Sequence, residues 1–136
     1  MEAVCRSAVA LCRSYGATAQ GAPDAPGGGR VTYCLSEASP YAVLVAGRKA
    51  AGFAVRRFPR TWLIQGSLLV RPLPEALARA MPAEAVRGVD TRAVSLAEAA
   101  GEAVTETDAA ERWAAHWASW WGVASVAVEP LVCDAV

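Results

Sequence analysis

Residues 41–70 leave this chain little choice of architecture. Tyr41–Ala46 is a strongly apolar run. Gly52–Arg57 alternates, with Phe53 and Val55 on one face and Ala54 and Arg56 on the other. Trp62–Val70 is long and apolar, interrupted by Gln65-Gly66-Ser67. Gly47 and Pro59 separate the runs, where turns are required. This predicts strands joined as an antiparallel meander. A weaker strand-like run, Val31–Leu35, precedes them.

The flanks read as helix. Val4, Ala8, Leu11, Cys12 and Tyr15 fall at helical spacing within 3–15, and Gly16 is a stop signal. Pro74–Met81 begins with a proline suited to a first helical turn. Ser95-Leu96-Ala97-Glu98 has the capping-box pattern. Thr105 or Thr107 caps a last helix that Gly122 ends. Trp113, Trp117, Trp120 and Trp121 recur along that helix at the spacing of a packed face. His116 lies off the stripe and reads as a surface residue. The stretch 21–29, with three consecutive glycines, reads as a loop; no Gly-Lys-Ser/Thr follows to make it a phosphate loop. The expected class is therefore α+β: an antiparallel or mixed sheet with packed helices, in one domain over 1–122 with a tail at 123–136.

Composition narrows the function classes. The formal charge is zero and 54% of residues are hydrophobic, so there is apolar mass for a core and no bulk pull toward nucleic acid or membrane. No apolar run approaches the roughly 20 residues that span a bilayer. The start, Met1-Glu2-Ala3-Val4-Cys5-Arg6, lacks signal-peptide character, so the cytoplasm is the expected location. Cys5, Cys12, Cys34 and Cys133 have no C-x-x-C spacing, and with one histidine they suggest no metal site. Cys5 and Cys12 share a helix face and read as small core residues. Arg56, Arg57 and Arg60 cluster at the second hairpin, either as a phosphate contact or as a solvated face.

Among the basic residues, twelve are arginine and one, Lys49, is lysine. It sits in Gly47-Arg48-Lys49-Ala50-Ala51-Gly52, between two apolar runs. Arginine and lysine are not interchangeable where a compact point charge must approach a reacting oxygen. A solvated turn lysine is the competing reading.

Three stretches carry a family pattern: Cys34 followed by Ser39-Pro40-Tyr41-Ala42-Val43; then Gly47-Arg48-Lys49-Ala50-Ala51-Gly52-Phe53-Ala54-Val55-Arg56-Arg57; then Leu63-Ile64-Gln65-Gly66-Ser67-Leu68-Leu69. In order and spacing they resemble the lipoate–protein ligase and octanoyltransferase family, whose members carry Gly-Arg-Lys-Ile-x-Gly-Ser-Ala-Gln-Arg-Arg and then Leu-Gln-His-Gly-Ser-Leu-Leu. A biotin-type ligase is less similar. The resemblance implies part of a biotin/lipoate-ligase-like domain, covering roughly its C-terminal half. It implies Lys49 as the catalytic lysine and Cys34 as the nucleophile of the cysteine-dependent members. Gly47, Arg48, Gly52, Ala54, Gly66 and Ser67 would line the acyl site. A thiolate beside Lys49 and Arg48 would be favoured and could hold the acyl chain as a thioester. Phe53 and Val55 stand where many members have Ser and Gln, and Gln65 stands where many have His. The family's Arg-Arg-x-x-Gly-Gly-Gly strand and His-Asp are not matched; Gly27-Gly28-Gly29-Arg30 echoes the first only superficially.

The implied activity is lipoyl or octanoyl transfer to a lysine of a lipoyl-carrier domain. Lipoate or octanoate is the acyl substrate, with ATP and magnesium required only if the mechanism is ligation. The implied partners are a lipoyl-carrier domain or acyl carrier protein, and a second chain if the missing strands come from one. Nucleic acid and membrane are not expected partners. The alternative is a non-catalytic, ligase-like module that binds an acyl carrier or completes a partner's fold.

Overall fold

The computed structural model describes residues 1–23, 34–37, 39–124 and 128. The glycine-rich stretch from 24, the start of the weak run at 31–35 and most of the tail at 123–136 lie outside the described residues. The elements are α1 (Glu2–Ser14), β1 (Ala19–Ala22), β2 (Ala42–Val45), β3 (Arg48–Arg57), β4 (Trp62–Leu68), α2 (Glu75–Ala80), α3 (Ala83–Arg92), α4 (Leu96–Ala100) and α5 (Glu106–Trp121).

The class is α+β. The four strands form an antiparallel sheet in the order β1-β2-β3-β4. The parallel element among the described residues is an isolated bridge between Lys49 and Ala93. The β2–β3 hairpin turns through Ala46 and Gly47, both with positive φ (49° and 77°), as a tight two-residue hairpin turn requires. At the β3–β4 turn, Phe58 N donates to Thr61 O across Pro59 and Arg60.

Register decides which face is buried. Ala19 lies opposite Val45, and Val43 opposite Ala51, which in turn faces Leu68. These residues share one face and pack on α1 through Ala8, Leu11 and Cys12. Each large apolar side chain removed from water there contributes roughly 1.5–3 kcal/mol. Helix α5 packs beside α1. Trp113 Nε1 donates to Ser7 Oγ at 3.0 Å, and the Ser7 hydroxyl donates to Val4 O. The Trp113 ring meets Phe53 of β3 edge-on. Cys5 and Cys12 are buried, as their helical spacing predicts. Burial pushes the Cys12 thiol up to about 11.

The capping signals are realised. Ser95 Oγ accepts from Glu98 N, and Thr105 Oγ1 accepts from Asp108 N. Gly16 and Gly122 follow their helices with φ of 78° and 62°.

Several expectations need correction. Strand β1 takes Gly21 and Ala22 out of the expected loop. Cys34 and Leu35 lie in a turn, not a strand. β3 starts at Arg48 rather than Gly52, and β4 runs through Gln65-Gly66-Ser67 without a break. The tryptophan stripe is covered only at its start. Trp117 and Trp121 stack on each other, while Trp120 and Trp121 are exposed. His116 is half-buried rather than on the surface.

Candidate functional site

Lys49 is 5% exposed, and its ammonium is fully engaged. Lys49 Nζ donates to Cys34 O at 2.6 Å, to Glu37 O at 2.6 Å and to Ser39 Oγ at 3.3 Å. An ammonium has three donors, and these contacts account for all of them. Burial lowers its pKa from the ordinary 10.5, partly offset by Cys34 and Glu37.

A β-bulge aims this side chain. The β2–β3 register pairs Leu44 with Lys49 but Val43 with Ala51, so one extra residue sits on β3. In an unbroken strand, residues 49 and 52 point to opposite faces. The inserted residue brings Lys49 and Gly52 to the same one, away from α1. The lysine stem then lies over Gly52, where an added Cβ would be 2.7 Å from Cε and 2.8 Å from Nζ. Glycine is required there by close approach, not by φ.

The resulting cleft encloses about 410 Å³ and is lined by Cys34, Ser39, Lys49, Gly52, Phe53, Ala54, Gln65, Gly66 and Ser67. That volume falls within the about 300–1,000 Å³ of small-molecule sites, and an apolar wall with a few convergent polar groups is their usual composition. Gly66 lies opposite Phe53, whose ring would be 2.4 Å from a Cβ at that position. The ring therefore lies across the glycine on the α1 side of the sheet, where it also meets Trp113, opposite the face to which Lys49 points. The turn that carries the Cys34 carbonyl is seated on α3: a Cβ at Gly88 would be 2.9 Å from Ser36 Oγ.

Six of the eight residues singled out from the sequence meet in this cleft: Lys49, Cys34, Gly52, Ala54, Gly66 and Ser67. Two do not. Gly47 is spent on the β2–β3 turn. Arg48 faces the other side of β3, where it pairs with Glu98 of α4 and its Nη2 donates to Asp90 O. Sequence reading had placed the Arg48 charge beside Cys34; the structure neutralises it on the opposite face. Arg48 Nε is buried there without an acceptor. Cys34 is exposed, unlike Cys5 and Cys12.

Ser39, Phe53 and the carbonyls of Cys34 and Glu37 also belong to the site. Ser39 lies in the motif, but nothing in its residue type announces a contact ten positions away. Backbone acceptors leave no trace in residue identity.

A larger groove of about 550 Å³ lies between α1 and β1, lined by Cys5, Arg6, Val9, Ala10, Arg13, Gly21 and Trp120. It has no comparable set of converging polar groups: Arg6 pairs with Glu2, and Arg13 Nε donates to Ala19 O. Chemically, the Lys49 cleft offers a desolvated point charge, an accessible thiol and a hydroxyl against an apolar wall. No described helix is long and apolar enough to cross a membrane. No family model, no curated protein and no solved structure matches the chain.

Proposed function

We propose that the Lys49 cleft serves acyl transfer, delivering an octanoyl or lipoyl group to the lysine of a small carrier domain. The observation that carries this reading is the buried ammonium held over Gly52 in a cleft that also receives Cys34 and Ser67. Oxygen charge developing in a tetrahedral acyl intermediate is stabilised by a fixed donor in a water-poor site. Of the three ammonium contacts, that to Ser39 Oγ is the longest, and it is the one an acyl oxygen would replace. The sequence resemblance to lipoate–protein ligases and octanoyltransferases points the same way. On this reading the chain is part of such a ligase-like domain.

Two routes use the same cleft. In a thioester relay, Cys34 Sγ attacks the donor acyl carbonyl and the donor thiol leaves. The carrier amine then attacks the new thioester, an amide forms, and the Cys34 thiolate departs. In ligation, the carrier amine attacks an acyl-adenylate and the nucleotide leaves. Lys49 stabilises the acyl oxygen in both, and Cys34 is needed only in the first.

A second reading has its own support. Two carbonyls and a hydroxyl already hold the ammonium, as they would if its task were to pin the 34–37 turn to β3. The protein would then be a non-catalytic module.

The test is transfer of octanoate or lipoate to a carrier domain, with and without ATP, by wild type, Lys49→Ala and Cys34→Ala. Loss in Lys49→Ala supports the catalytic reading. Loss in Cys34→Ala without ATP selects the relay, and survival with ATP selects ligation. Unchanged transfer in Lys49→Ala overturns the assignment. No transfer by the folded wild type favours the module.

A further inference from the structure

Cys34 and Lys49 share the cleft but differ in their access to solvent. Cys34 is exposed, while Lys49 is 5% exposed. A reagent in solution therefore meets the thiol first. The two groups are nevertheless close. Lys49 Nζ donates to the backbone carbonyl of Cys34 itself at 2.6 Å, and both residues line the same cavity. Rotation about χ1 of the exposed cysteine moves its sulfur without disturbing the carbonyl that holds the lysine.

The contacts of Lys49 suit an acceptor amine as well as a charge. A neutral amine keeps two N–H donors and gains a lone pair where the ammonium has a third. The two short contacts, to Cys34 O and Glu37 O at 2.6 Å, hold the two N–H groups. The lone pair then takes the third side, toward Ser39 Oγ at 3.3 Å. That is the side assigned above to an acyl oxygen, so an acyl carbonyl there meets the nitrogen. Burial favours the neutral form, partly offset by Cys34 and Glu37.

We propose that Cys34 passes acyl groups to Lys49 of its own chain, so that the cleft modifies its own lysine. The substrate class is an acyl thioester of a small thiol or of a carrier thiol. Deprotonated Cys34 Sγ attacks the donor carbonyl. A new C–Sγ bond forms, the donor C–S bond breaks, and the donor thiolate takes up a proton. Neutral Lys49 Nζ then attacks the Cys34 thioester. The N–C bond forms, the C–Sγ bond breaks, and the proton lost by Nζ goes to the departing thiolate. The product is an Nζ-acyl amide, with the Cys34 thiol regenerated. One N–H remains on the nitrogen, so one of the two carbonyls loses its donor. The amide has no charge, and the acyl oxygen of a later substrate finds no ammonium. Lys49 thus competes with the carrier lysine for one thioester, and its acylation switches the cleft off. This self-acylation rests on the acyl-transfer reading in one respect, that the cleft admits an acyl thioester; it needs no carrier domain. Attack within one cleft outruns attack from solution, because well-aligned groups reach effective concentrations of about 10⁵ M or more.

The test uses the full chain with Cys133 replaced by Ala, and octanoyl-N-acetylcysteamine as donor. Adducts are located by peptide mass. Hydroxylamine separates them, since it cleaves thioesters and leaves amides intact. The expected course is a hydroxylamine-labile octanoyl group on Cys34, followed by a stable one on Lys49. Cys34→Ala, at an exposed turn position, is expected to slow the Lys49 adduct by on the order of 100-fold with unchanged circular dichroism. A lasting thioester on Cys34 with Lys49 unmodified overturns the proposal and leaves the thioester relay standing. A Lys49 amide formed equally fast in Cys34→Ala overturns the transfer through Cys34. Absence of an adduct at both residues also overturns the proposal. Transfer to a carrier domain with ATP by that same protein then shows that the acyl-transfer reading survives as ligation, and no transfer removes both.

Discussion

Replacing Gly52 with alanine tests the site without touching a charged group. The new Cβ would meet Lys49 Cε at 2.7 Å and Nζ at 2.8 Å. Comfortable contact is about 3.5–4 Å, so the end of the side chain must withdraw by about 1 Å. Its hydrogen bonds to Cys34 O and Glu37 O, both 2.6 Å, would be stretched to the edge of hydrogen-bond range or past it. A hydrogen bond to a charged group is worth roughly 1.5–3 kcal/mol, and water entering the open cleft recovers part of what is lost. Alanine also lowers unfolded-state entropy, which offsets about 0.4–1 kcal/mol. Combining these, the net loss is about 2–3 kcal/mol. Urea unfolding reads this as a lower midpoint at unchanged slope. The chain has a single lysine, so amine-reactive labelling followed by peptide mass analysis reports on that ammonium alone. Labelling is expected to accelerate at least ~10-fold as the carbonyls release it. If the cleft transfers acyl groups, a displacement of this size is expected to cost on the order of 10²-fold in rate. A Gly52→Ala protein with wild-type midpoint and wild-type labelling would falsify the claim that the bulge holds the lysine over this glycine.

Four further outcomes follow from the same geometry. Gly66→Ala forces the Phe53 ring from its place, with an overpacking cost of about 1–3 kcal/mol and altered Trp113 fluorescence; an unchanged spectrum and midpoint would contradict the ring-over-glycine contact. Ala46→Asn relieves a non-glycine residue at φ 49° and is expected to stabilise by about 0.5–1 kcal/mol; a lower midpoint would count against the turn assignment. The lowered Lys49 pKa has a definite sign. Between the folded value and 10.5 the unfolded chain binds more protons, so this group makes stability rise with pH, while the Tyr15 hydroxyl, pushed up to about 12, acts oppositely above its ordinary 10.0. The Lys49→Met protein is expected to lose the rising component, and parallel stability profiles for the two proteins would refute it. Of Cys5, Cys12 and Cys34, alkylation at neutral pH is expected to reach Cys34 first, with Cys5 and Cys12 protected until unfolding; simultaneous labelling of the three would mean that α1 is not seated as described.

Local signals carried much of the fold. Caps at Ser95 and Thr105, the glycine stop after α1 and the turn at Gly47 are decided within a few residues, and each was readable. Strand β1 was not, because Ala19–Ala22 is neither β-branched nor alternating; it is a strand because Val43–Val45 supplies the pairing and α1 the cover. The tryptophan stripe misled for a related reason. Periodicity shows which residues share a face, but not how far along the helix the neighbour extends. At the site, Lys49, Gly52, Gly66 and Cys34 were legible as a linear pattern. Arg48 was misplaced because adjacency in sequence says nothing of sides once a strand forms.

The bulge in β3 makes the address of the ammonium a matter of counting. Ordinary substitution at Ala50 would leave the surplus residue in place and Lys49 on the cleft side. Deleting Ala50 would restore an even ladder with Lys49 still opposite Leu44 and only two positions from Gly52, so the two residues would keep a common face. What the surplus residue sets is the span between the ammonium's strand position and Gly52, not the side on which the ammonium lies. Its loss is therefore expected to shift the contacts of Lys49 with the 34–37 turn while leaving the lysine in the cleft.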